Sequence, residues 1–113
     1  MLLFNNGILM VFGKLKEAVQ KKRVEWKKHV LERMLERGIS RTDVLAVLST
    51  GQIIESYGND RPFPSYLILG NAGKSPVHVV VAYDDKSETC YIITVYRPDL
   101  QSFGEDYKTR KKR

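Results

Sequence analysis

At Gly51 the hydrophobic period of this chain changes, and that change limits the possible folds more than any other feature. Upstream, apolar side chains recur at helical spacing; downstream they form short runs split by turn residues. From Lys14 to Arg37 there is neither Pro nor Gly, and Trp26, Val30, Leu31, Met34 and Leu35 mark one apolar face, so the pattern predicts one long amphipathic helix ended by Gly38. Ser40 followed three residues later by Asp43 is a capping-box pattern. It opens a second, shorter helix carrying Val44, Leu45, Val47 and Leu48, and the two helices are expected to form a hairpin.

Beyond Gly51 the segments "QIIESY", "SYLILG", "VHVVVAY" and "CYIITVY" are rich in β-branched and aromatic residues, and "GNDRPFP", "NAGKSP" and "DDKSET" separate them. These predict a four-stranded antiparallel meander. With both helices on one face of it, the fold class is α+β. At 113 residues, 42% of them hydrophobic, the chain suffices for one domain, placed at 14–99. Residues 1–13 form an apolar segment, read as an extra strand or packing element. Its positive charges follow the apolar part, and Asn5, Asn6 and Gly7 interrupt it, unlike a targeting signal; it is also too short to span a bilayer. Residues 100–113 form a basic tail for which disorder is expected.

Alternation orients the last two strands. Val77, Val79, Val81 and Tyr83 share one face, and His78, Val80 and Ala82 the other. On the final strand Tyr91, Ile93 and Val95 make the apolar set, with Ile92, Thr94 and Tyr96 opposite. Placing both apolar sets under the helices sets His78 across from Tyr96, with Thr94 diagonal to it, on the uncovered face.

Nineteen Lys and Arg against thirteen Asp and Glu give a formal charge of +6, which points to a polyanionic partner, nucleic acid ahead of membrane. A single cysteine, Cys90, forms no internal disulfide, and no spacing matches a zinc site; a reducing, cytoplasmic setting without metal or cofactor is the expectation. His29, Arg33 and Arg37 follow one another at i, i+4 and i+8, a stripe along which a phosphate could lie, although the interleaved Glu25, Glu32 and Glu36 favour a solvated helix flank on spacing alone. Asp60 and Arg61 sit in a loop stiffened by Pro62 and Pro64, and Arg97 stands at a strand end near Tyr96. Imidazoles that move protons near neutral pH, together with arginines that stabilise phosphate charge, suit metal-independent RNA cleavage by attack of the ribose 2′-hydroxyl. Binding without catalysis through the same residues is the alternative.

The runs "HVLERMLERGISRTDVLAVLSTGQIIESYGNDRPFPSYLILG", "PVHVVVAYDD" and "YIITVYRPD" resemble a widespread family of small prokaryotic proteins of unknown function, over roughly His29 to Asp99. That family is similar in layout to BrnT and, more distantly, to the RelE/ParE toxins. The resemblance implies a toxin paired with an acidic or zinc-finger antitoxin and acting on RNA, single-stranded or ribosome-bound. Carried over by position, its recurrent polar residues are His29, Arg33, Arg37, Asp60, Arg61, Ser65, His78, Thr94 and Tyr96. The working assignment makes His29, His78 and Tyr96 catalytic, with Arg33, Arg37, Arg61, Ser65, Thr94 and Arg97 binding substrate in a monomer or homodimer. The rival is a noncatalytic module that binds nucleic acid or a protein.

Overall fold

The computed structural model describes residues 6–100 and 103–111. In chain order the elements are α1 (Asn6–Gln20), β1 (Val24–Trp26), α2 (Lys28–Arg37), α3 (Arg41–Thr50), β2 (Gln52–Tyr57), β3 (Ser65–Ala72), β4 (Ser75–Asp84) and β5 (Thr89–Tyr96). They build a mixed α+β domain of three helices and one five-stranded sheet of order β1-β5-β4-β3-β2. No described helix is long and apolar enough to cross a membrane.

The continuous helix expected over 14–37 is two helices with a strand between them. Lys22 takes a left-handed conformation at φ 59°, and the Arg23 N–H donates to the Ala18 carbonyl, closing α1 without the glycine that usually marks such an end. The next three residues, Val24, Glu25 and Trp26, are extended and pair in parallel with Cys90, Tyr91 and Ile92 of β5. Two of the three are β-branched or aromatic, so tertiary pairing overrides a helical register that the surrounding lysines and glutamates would accept. The sheet is therefore five-stranded and mixed rather than four-stranded and wholly antiparallel. The extra strand expected within 1–13 is absent from the described part of that segment, which belongs to α1 from Asn6 onward; residues 1–5 lie outside the described residues.

The second helix begins where its cap requires. The Ser40 hydroxyl accepts from the Asp43 N–H and the Asp43 carboxylate from the Ser40 N–H, at 3.0 and 2.9 Å. Gly38, left-handed at φ 66°, ends α2. α3 lies on β3 and β4, α2 runs along β5, and α1 packs on α3, so all three helices cover one face. Leu15, Val30, Met34, Val44, Val47, Leu48, Ile68, Val77, Val79, Val81 and Ile92 form the core between them. The approach of α3 is close: a Cβ on Gly70 would stand 2.7 Å from a Val47 methyl.

β4 pairs with β5 through His78↔Tyr96, Val79↔Val95 and Val80↔Thr94, and then the register shifts to Val81↔Ile92. Ile93 is the added residue of this bulge. The alternation expected along β5 fails at that point, because an inserted residue exchanges the two faces. Cys90, Ile92 and Val95 face the core, while Ile93, expected inside, is exposed.

The tail expected to be disordered is folded over its described part. Phe103 and Arg110 form an antiparallel bridge, and the Asp106 carboxylate accepts from the N–H groups of Lys108 and Thr109 and from the Thr109 hydroxyl. Residues 101, 102, 112 and 113 lie outside the described residues.

Candidate functional site

The sheet face opposite the helices carries two groups of the expected residues, and they have different surroundings. At one end His78 stands opposite Tyr96 but is fully buried, because the tail lies across it. Its Nε2 is 2.7 Å from the Tyr107 carbonyl, which can only accept, so that nitrogen carries the proton. Nδ1 then accepts from the Tyr96 hydroxyl at 3.2 Å. Phe103 meets the imidazole edge to face, with ring centroids 4.6 Å apart. Burial pushes the His78 pKa down, with nearby Arg110 adding to the effect; the Tyr107 carbonyl and Glu55 oppose it. The tail is anchored by Arg110, whose Nε and Nη2 donate to the two carboxylate oxygens of Glu55 at 2.7 and 3.0 Å, and Glu55 also accepts from Tyr57. His78 and Tyr96 thus meet as expected, but as a satisfied, neutral pair beneath a strap, closed to solvent on the imidazole side.

At the other end the face opens into a cleft of about 350 Å³ lined by Lys27, His29, Asp60, Arg61, Pro62, Phe63, Ala82, Tyr91, Ile92 and Ile93. Two features of the fold make it. β1 stops at Trp26, so β5 beyond Ile92 has no strand outside it, and the first turn of α2 brings Lys27 and His29 beside Ile93. From the opposite wall comes the Pro-rich loop after β2. It is tied down by the Ser65 hydroxyl donating to the Asp60 carboxylate, by the Tyr83 N–H donating to the Pro64 carbonyl, and by Phe63 stacked on Tyr91 at 5.5 Å and 12°. Ser65 is fully buried, so its role is to hold the loop rather than to touch a ligand. Arg61, next to that anchor, is presented at the cleft. Lys27, His29 and Arg61 are all exposed, and among the described residues no carboxylate forms an ion pair with any of them.

The remaining arginines are structural in their contacts. Arg37 donates to the Val95 carbonyl at 2.6 Å. Arg97 donates to the Arg37 and Gly38 carbonyls at 3.2 and 3.3 Å, a cation on the C-terminus of α2. Arg33 pairs with Glu36 on the solvent side at 3.1 Å. Thr94 is half-buried opposite Val80, between the two ends of the face. Of the stripe of His29, Arg33 and Arg37 only His29 lines the cleft; His29 and Arg33 also share a shallow groove along α2 with Glu32, Leu35 and Glu36, which Arg37 does not reach. Sequence reasoning passed over Lys27, Phe63 and Tyr91, which need the bulge and the β1 stop to come together. It also passed over Glu55 and Arg110, whose pairing depends on an ordered tail.

A family model described as Domain of unknown function (DUF4258) matches residues 26–97, a span that holds every residue lining the cleft, and the chain belongs to that family. No curated protein and no solved structure matches the chain.

Proposed function

We propose that this member of the DUF4258 family binds single-stranded RNA at the cleft between α2 and the Pro-rich loop. One observation carries the reading: three exposed side chains able to bear positive charge, Lys27, His29 and Arg61, ring a cleft whose wall is a stacked aromatic pair. Single-stranded nucleic acid is held by that combination, cations on the backbone and aromatic faces under the bases. The formal charge of +6 adds long-range attraction. Fluorescence anisotropy with a labelled RNA oligonucleotide tests it. Arg61→Ala should weaken binding and lower the slope of log affinity against log salt by about 1, as expected when one phosphate is no longer neutralised. Unchanged affinity and slope in Lys27→Ala combined with Arg61→Ala would overturn the reading.

A second reading, a metal-independent endoribonuclease of a toxin and antitoxin pair with a RelE/ParE-like layout, draws support from the same cleft, because the exposed imidazole shares it with Arg61. His29 would take the proton from the ribose 2′-hydroxyl as that oxygen bonds to phosphorus. The bond to the 5′-oxygen breaks, the leaving oxygen takes up a proton, and a 2′,3′-cyclic phosphate remains, while Arg61 balances charge on the phosphorane. His78 and Tyr96 would then serve the fold. In this reading an acidic or zinc-finger antitoxin covers the cleft in the cytoplasm. RNA incubated with the protein in excess chelator should give cyclic phosphate ends with wild type and none with His29→Ala; intact RNA with both leaves binding as the function.

A further inference from the structure

α2 turns two apolar stripes in different directions. Val30 and Met34 enter the core, whereas Leu35 is 83% exposed, the highest exposure given for a large apolar side chain among the described residues. Beside it lies a shallow groove of about 400 Å³ lined by Trp26, Lys28, Leu31, Glu32 and Leu35. Lys28, Leu31, Glu32 and Leu35 occupy positions i, i+3, i+4 and i+7 of the helix and form one outward stripe. A lone exposed leucine needs no explanation, but a protruding leucine adjoining an apolar groove on the same stripe does.

We propose that this stripe is the interface of a two-fold dimer of the chain. The argument is self-complementarity, which a two-fold contact requires because the same patch must serve both partners. When two copies of α2 cross antiparallel about an axis between Leu31 and Glu32, Leu35 of each copy meets the other copy's groove next to Lys28 and Leu31. The same crossing brings Glu32 of each copy toward Lys28 of the other, so opposite charges meet across the axis. Both the knob and the hole, and both signs of charge, are present in one set of five residues. A partner of different chemistry would need only one of each.

Trp26 is the single tryptophan of the chain and lines the groove, so association reports on itself. The full chain would be studied by sedimentation equilibrium and tryptophan emission from about 5 µM to about 1 mM, the range where a small interface associates. Wild type should rise from 13.0 kDa toward twice that mass, with Trp26 emission moving to shorter wavelength in step. Leu35→Asp, a change at an exposed position, should remain at 13.0 kDa with emission independent of concentration. Lys28→Glu should weaken association, and Lys28→Glu with Glu32→Lys should restore it. A wild type that stays monomeric across the range overturns the proposal, and so does a dimer that persists in Leu35→Asp.

Discussion

The imidazole of His78 makes the fold sensitive to pH in a way that can be calculated. Folded, the ring is neutral, sealed by Phe103, Tyr107 and the bulk of the strap, with Tyr96 donating to it from β5; Arg110 opposes a charge there and Glu55 favours one. Burial is the largest influence and lowers the pKa from its ordinary 6.5. Unfolded, the ring titrates at the ordinary value. Between the two values the unfolded chain binds a proton that the folded chain refuses, so stability falls as pH falls through that window and levels off below the folded pKa. For one site the slope reaches about 1.4 kcal/mol per pH unit within the window. The perturbation is His78→Gln, which supplies a donor and an acceptor but does not titrate near neutrality. Urea unfolding followed by far-ultraviolet circular dichroism between about pH 8 and about pH 5 gives stability for both proteins, and the difference removes whatever the two proteins share. Wild type should lose stability faster than the variant just below pH 6.5. Parallel curves would mean that the folded ring accepts its proton as readily as the unfolded one, and the neutral, buried pairing of His78 with Tyr96 would be refuted.

Gly70→Ala should cost about 1–3 kcal/mol in urea unfolding, because its Cβ would press within 2.7 Å of Val47 on α3, and a neutral effect would show that α3 can lift from the sheet freely. Cys90 is fully buried and its thiol is pushed up to about 12, so an aromatic disulfide reagent should modify it only at the rate of unfolding. Rapid modification of the folded protein would place that strand end in contact with solvent.

The stretch from Ser40 to Tyr96 was far more legible than what precedes and follows it. Turn residues bounded every β-rich run, and the Ser40 and Asp43 pair announced α3 because a cap is a local interaction between near neighbours. β1 was hidden because its stabilising partner is β5, far along the chain, and because Lys22 rather than glycine takes the left-handed turn before it. The pairing of His78 with Tyr96 followed from alternation, since it lies on the near side of the bulge. Past Ile93 the same rule misplaced the apolar set, for nothing in the residues themselves marks an inserted position. The candidate site was half legible: Arg61 and His29 stood out by residue type, but their meeting depends on where β1 stops. The sealing of His78 was illegible because a segment rich in Lys and Arg reads as solvated until Glu55 is known to face Arg110.

The parallel pairing of β1 with β5 also favours one order of assembly. Val24 meets Cys90 across 66 positions, whereas the hairpins joining β2 through β5 close loops of a few residues. Bringing distant segments together directly costs loop entropy that grows with the length spanned, so hairpin contacts form before this one repays its closure. Once β5 has docked, α2 and α3 shorten the effective path and β1 can add to the finished edge. This strand of three residues has a single neighbour among the described strands, β5, and is otherwise held by Val24 and Trp26, half-buried against the core. It is the part of the sheet expected to open first, and each opening would remove one wall's support from the cleft while the core beneath α3 stays intact.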